Sequence, residues 1–259
     1  MRYIRFLFVA SLSLLAAVLI YSYRSLQTAP APSASSPQSS EILTLSPEEQ
    51  DVEFMTALKL MQGHLVVGKE LLEQGTPDQA EPHLGHPIDE LYGLVEGQIE
   101  QRNAPDCEEA LIELYSTAQF APYSKKVATQ YELSMQKTDE AIATLPEDKR
   151  QSPKFVFMAI NGLLKTADDE YRAGIAGDKV VEAIEYQDAR GFALVAQQLY
   201  ETISTSIAQS NPDVDTVVSE SLIKLQTAWP SVNPPQEIVM TPADVSQLIE
   251  TIRSSSASL

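Results

Sequence analysis

The chain has one cysteine, Cys107, in 259 residues, so no intramolecular disulfide can staple it. Covalent haem attachment through Cys-x-x-Cys-His is excluded, and the lack of thiolates argues against a soft-metal site. Cys107 itself reads as a small, half-buried residue near a helix start. Basic residues are also scarce, with 18 Lys and Arg against 36 Asp and Glu and a net charge of −18. Arg2, Arg5 and Arg24 precede the first acid, Glu41, so from that point 15 basic residues face all 36 acids. Such a body repels nucleic acid and anionic lipid, whose phosphates are bound through Lys and Arg. Cations and basic partner proteins are its expected partners. Glycine is low, at 10 residues, and period-two alternation is confined to Glu237–Met240, so few strands are expected. No Gly-x-Ser-x-Gly elbow, phosphate-binding Gly-rich loop or His-Glu-x-x-His occurs, so no reaction is named by a motif.

The N-terminus supplies the one long apolar run. Phe6 to Tyr21 spans 16 residues behind Arg2 and Arg5, near the minimum for crossing a bilayer once Ser22 and Tyr23 are added. Two readings compete: an uncleaved signal anchor, which is favoured, and a signal peptide whose cleavage would release the chain to the periplasm. Ala29-Pro30-Ala31 has the small-residue form of a cut site, but Pro32 follows it directly. Either way the acidic body is exported, and in the favoured reading it is anchored to the inner or plasma membrane through the N-terminal helix. Residues 25–45 are rich in Ser, Ala and Pro and form an extended or flexible tether. The expected organisation is an anchor or signal over 1–24, this linker, a helical bundle over 46–229, and a Pro-rich linker with a C-terminal helix over 230–259.

From Ser46 onward the chain is a succession of punctuated helical units. Ser46-Pro47-Glu48-Glu49 is a capping box with Pro at the first helical position. The helix it opens runs to Gln74 and stops at Gly75. Thr76-Pro77-Asp78, Pro87, Pro105, Pro122, Ser152-Pro153, Asn211-Pro212 and Thr241-Pro242 mark further starts. Lys179 to Gln209 reads as one long helix, and Pro82 and Pro87 make the segment between them a rigid corner. The fold class is therefore all-α: a bundle of about six to eight helices behind the anchor and linker.

All three histidines fall between positions 64 and 86: His64, then His83 and His86 in Pro82-His83-Leu84-Gly85-His86-Pro87. Imidazole is the commonest metal ligand. His64 shares the inward stripe of the first helix with Ala57, Met61, Gly68 and Leu71 at 4-3-4-3 spacing. A matching inward stripe runs through His86, Glu90, Gly93 and Gly97. The candidate metal set is His64, His83, His86, Glu90 and Asp89, which suits iron, zinc, manganese or copper(II). The candidate cofactor set is His64, His83, His86 and Met61, for a b-type haem given room by Gly63 and Gly68. In the alternative reading the histidines only satisfy the core, and the chain is an acidic structural or assembly protein docking basic partners.

Two further carboxylates fall on apolar stripes: Glu170, after Val156, Ile160, Leu163 and Ala167, and Asp188, among Val181, Ile184, Gly191 and Val195. A buried carboxylate needs a partner, which could be a metal, a histidine or an arginine; an ion pair with Arg172 or Arg190, near in sequence, is the favoured reading. The clusters Asp168-Asp169-Glu170 and Glu182/Glu185/Asp188 otherwise read as solvated helix faces.

The stretch Met61-Gln62-Gly63-His64-Leu65-Val66-Val67-Gly68-Lys69-Glu70-Leu71, with the His83–His86 run and Glu90-Leu91-Tyr92, resembles a pattern in uncharacterised exported bacterial helical proteins. The layout is also similar to imelysin-like periplasmic iron-associated proteins, which carry a His-x-x-Glu metal motif. Here His86-Pro87-Ile88-Asp89 stands at that place, with Asp for Glu. The resemblance implies a metal or iron role. The expected function is a membrane-tethered extracytoplasmic protein that senses, carries or delivers a transition metal or haem.

Overall fold

The computed structural model describes residues 45–257 and 259. The expected anchor, and all of the expected tether except Leu45, lie outside them. No helix among the described residues is long and apolar enough to cross a membrane.

The fold is all-α, as the punctuation implies. Helix α1 (Pro47–Glu73) opens on the Ser46 capping box, with Ser46 N–H donating to Glu49 Oε2 at 2.7 Å and Glu49 N–H donating back to Ser46 Oγ at 3.3 Å. It ends where Gly75 turns to φ 76°, a left-handed value that only glycine takes freely. Phe54, Leu58, Met61, Leu65 and Leu71 of α1 are fully buried. Each contributes on the order of 1.5–3 kcal/mol by leaving water. This helix is the rod around which the rest is assembled.

Two groups of helices pack on it. On one side α2 (Pro77–His86) continues through a single π turn (Pro87–Leu91) into α3 (Tyr92–Arg102), followed by α4 (Glu108–Phe120) and α5 (Lys125–Ile142). The short α6 (Glu147–Arg150) then leads to the other group. There α7 (Pro153–Gly174) and α8 (Ala183–Glu201) form an antiparallel hairpin. They are joined by a ribbon pairing Ile175 with Val180 and Ala176 with Lys179. After α9 (Ser204–Ser210), α10 (Pro212–Gln226) and α11 (Pro242–Ser256) complete a four-helix layer with α7 and α8. Val245 and Ile252 of α11 are fully buried, and Tyr171 of α7 donates its hydroxyl to the Met240 carbonyl at 2.7 Å.

Several sequence expectations are corrected here. Lys179–Gln209 is not one helix: the ribbon takes Lys179 and Val180, and the chain turns again at Thr202–Ile203. Glu237–Met240 is no strand, although Ile238 N–H does bond the Asp178 carbonyl. The segment from Pro82 to Pro87 is not a corner: α2 runs through Pro82 as a helix, and the chain widens into the π turn at Pro87. That wider turn accommodates a proline ring that would clash with the preceding turn of a regular helix. The π turn also inserts an extra residue, so the helical phase slips. The buried stripe beyond it is Leu91, Tyr92, Val95 and Ile99, while Gly93 and Gly97 are exposed.

A close backbone approach joins the central rod to the second group. A methyl placed on Gly191 of α8 would strike the Gly63 carbonyl of α1 and come within 2.8 Å of Val67 Cγ2; one on Gly63 would sit 2.7 Å from Phe192 Cδ1. Nothing lies within 4 Å of such a methyl on Gly93. Gly191→Ala is accordingly expected to destabilise the protein by about 1–3 kcal/mol, the range for overpacked cores. Gly93→Ala should stabilise it by up to about 1 kcal/mol through helix propensity. Urea denaturation of the two variants checks this, and shifts of the same sign would overturn the assignment of Gly191 to a backbone-to-backbone contact.

Candidate metal centre

The glycine crossing places the residue after Gly63 opposite the residue one turn before Gly191. These are His64 and Asp188, and His64 Nδ1 lies 2.7 Å from Asp188 Oδ1. Helix α2 lies against α1 and brings up its last turn, where His83 and His86, three residues apart, share a side. His83 Nδ1 is also 2.7 Å from Asp188 Oδ1, and His86 Nδ1 is 3.4 Å from Asp188 Oδ2. One ligand atom from each of His64, His83, His86 and Asp188 lies within 4.8 Å of the other three. His83 is fully buried, His64 and Asp188 nearly so, and His86 remains about one-fifth exposed as the outermost ring.

Hydrogen bonding fixes the orientations. Gln187 donates its Nε2–H to the Val232 carbonyl at 3.2 Å, which leaves its Oε1 facing His83 Nε2 at 2.9 Å. His83 therefore meets an oxygen acceptor at each nitrogen. Such a second contact holds a ring's orientation when the other nitrogen ligates a metal. The Phe192 ring packs edge-to-face with the His64 ring, with centroids 4.9 Å apart, and His64 is buried there.

The charges are arranged to suit a cation. Burial opposes the charged form of His64 and brings its pKa below the usual value despite Asp188. Burial also opposes ionisation of Asp188, but the imidazoles of His64 and His83 outweigh it and hold its carboxyl well below the carboxylate range. For His86 burial is again the largest influence, yet Asp188, Glu90 and Glu170 together raise its pKa to about 9. Glu170 is pushed up to about 8, first by burial and then by Asp188, Glu185 and Glu90. Glu90 and Glu185 are raised for the same leading reason.

Three imidazoles and one carboxylate are the donor set of borderline metals such as zinc, iron(II), manganese and copper(II). Bonds of about 2.0–2.2 Å need donors roughly 3.3 Å apart on a tetrahedron, so small side-chain rotations would close these four around one ion. Four protein donors leave a tetrahedral ion no open position, which suits holding a metal more than catalysing with it.

Of the residues expected from sequence, His64, His83 and His86 come together. Glu90 stands at the edge, its Oε1 3.8 Å from His86 Nε2. Asp89 is exposed, and Met61 is buried within the apolar core. Gly63 and Gly68 do not open a slot for a macrocycle, because their open faces are filled by Phe192 and Leu84. Asp188 replaces the haem as the group between the rings. Its expected arginine partner is wrong: Arg190 pairs with Glu70, and Arg172 with Asp168. Nor are Glu170 and Asp188 part of solvated faces, since both are more than nine-tenths buried. The position of Asp188 on an apolar stripe was the signal that marked it; Gln187 carried none.

A pH dependence follows. The folded, metal-free state holds a proton on His86 up to about pH 9 and on Glu170 up to about pH 8, whereas the unfolded chain releases them near their ordinary values of about 6.5 and 4.3. His64, with its lowered pKa, is neutral in both states above pH 7. Between pH 7 and 9 the folded state thus binds more protons, and stability falls as pH rises. Urea denaturation in chelator should show this decline, and His86→Gln/Glu170→Gln should flatten it. A wild-type stability that rises across this window would refute the protonation assigned to these two groups.

Neither the curated proteins nor the solved structures yield a match to the chain. The imelysin-like similarity expected above is not shown. Residues 146–259, which carry α6 to α11 and with them Glu170, Glu185 and Asp188 but none of the histidines, match the family model of the iron permease-associated 4-helix bundle domain.

Proposed function

We propose that this protein is a membrane-tethered, extracytoplasmic metal-binding protein that holds iron or a similar divalent transition metal between His64, His83, His86 and Asp188. Its task in this reading is to carry or deliver that ion in iron uptake. The observation that carries the reading is the convergence of four borderline-metal donors within 4.8 Å in a buried seam. The family match of residues 146–259 supports iron as the cargo. Location outside the membrane rests on the apolar run from Phe6 to Tyr21 and the acidic body that follows. The acidity suits both cation capture and docking on a basic partner surface.

A second reading has one specific observation in its favour. The two 2.7 Å contacts of Asp188 Oδ1 make a satisfied polar cluster without any ion, and in that case the histidines serve only the fold.

Metal content separates the two. Protein purified without an affinity tag, stripped with chelator and titrated with Fe²⁺ under anaerobic conditions, or with Zn²⁺, is expected to take up the ion in the His/Asp seam. His64→Ala, His83→Ala and Asp188→Asn should each weaken uptake by at least ~10-fold, the scale seen even for supporting residues of metal sites. Affinity should rise with pH up to about 9, because the ion displaces the proton held on His86. Equal metal content in the wild type and in His83→Ala/His86→Ala, measured by elemental analysis, would leave the structural reading standing alone.

A further inference from the structure

Glu170 is a buried carboxylate that the four-donor seam does not use. It is 7% exposed and has no hydrogen-bond or ion-pair partner among the described residues. Its place follows from the register of the α7–α8 hairpin. Gly174 of α7 faces Tyr186 N at 3.1 Å and Glu185 Cβ at 3.5 Å, and the rings of Tyr171 and Tyr186 lie 6.2 Å apart. One turn further into the antiparallel pair, Glu170 comes opposite the turn of α8 that carries Asp188. The π turn presents Glu90 to the same region, 3.8 Å from His86 Nε2. Glu185, half-buried, completes the group. The charges that act most on Glu170 are all carboxylates, and the nearby arginines are engaged elsewhere, Arg172 with Asp168 and Arg190 with Glu70. A buried carboxylate without a hydrogen-bond or ion-pair partner costs several kcal/mol to leave charged, so Glu170 keeps its proton until a cation lets it ionise.

His86 stands between the two sets. Its Nδ1 faces Asp188 and the buried seam, and its Nε2 faces Glu90. A neutral imidazole offers a lone pair on one nitrogen at a time, so this ring can serve an inner ion or an outer one by exchanging its proton between nitrogens.

We propose that Glu90 and Glu170, with Glu185 beside them and His86 Nε2 at their inner edge, form a second, outer cation position through which a hard divalent ion reaches the His/Asp seam. This rests on the reading of that seam as a metal site. Oxygen donors make the outer position the one for hydrated, hard ions, and the imidazole-rich inner position the one for borderline ions. Capture outside and transfer inward through the rotation or proton exchange of one histidine is the sequence of events the geometry supports.

The test loads the full chain with one equivalent of Zn²⁺ and then titrates Mn²⁺ at physiological ionic strength, which screens scattered surface carboxylates. Bound Mn²⁺ is read from the loss of the free-ion electron paramagnetic resonance signal, and retained Zn²⁺ from elemental analysis. The wild type is expected to bind one Mn²⁺ per chain, and Glu170→Gln should weaken that binding by ~10-fold or more while Zn²⁺ is retained. Glu90→Gln, at the half-buried rim, gives the same readout should Glu170→Gln fail to fold. Zn²⁺ retained with no Mn²⁺ bound, or Mn²⁺ bound equally by wild type and variants, overturns the outer position and leaves the inner one intact. Failure of the wild type to hold Zn²⁺ overturns both.

Discussion

The contact between the backbones of Gly63 and Gly191 is the constraint on which the centre depends. Side chains at either position would hold α1 and α8 apart, since even a methyl on Gly191 meets the carbonyl of Gly63. With the helices this close, His64 and Asp188 reach one another at 2.7 Å without stretching either side chain. Glycine inside a helix costs about 1 kcal/mol relative to alanine. Here the cost is offset by dense packing between the central rod and the four-helix layer, around Phe192, Val67 and their neighbours.

Asp188 then organises everything else in the seam. One of its oxygens meets His64 and His83 and the other faces His86, so three rings from two helices are aimed by a single carboxylate from a third. The Gln187–Val232 bond locks His83 from behind. This is the arrangement expected of a preorganised site, in which orientation is settled by packing and outer hydrogen bonds before any ligand arrives. The surrounding glutamates extend the negative field outward along the one side where His86 is partly exposed.

The seam also crosses the boundary of the recognisable family segment. Residues 146–259 supply Asp188, the buried Glu170 and the half-buried Glu185, whereas the histidines come from helices outside that segment. The N-terminal helices therefore do more than cover the four-helix layer: they add imidazole to a layer that by itself offers only oxygen donors at this place. That difference in chemistry separates a hard-cation surface from a borderline-metal site.

Much of this was legible residue by residue. The Ser46 capping box, the prolines at helix starts and Gly75 act over three or four residues, and local rules of capping and backbone sterics are enough to place them. The stripe through Met61, His64 and Gly68 needed only helical periodicity, and so did the inward positions of Glu170 and Asp188. The π turn at Pro87 was not legible, because an extra residue in one turn changes the phase without leaving a periodic trace. For that reason Gly93 and Gly97 were assigned to the wrong face. The partner of Asp188 could not be read either. Arg190 is two residues away along the chain but points to Glu70, while His64 is 124 residues away and in contact. The sequence by itself determined that the chain is helical and that His64, Glu170 and Asp188 face inward, since both follow from short-range periodicity. Only the tertiary structure decided which of those side chains meet, because that depends on how closely two distant backbones pack, and here two glycines set the distance.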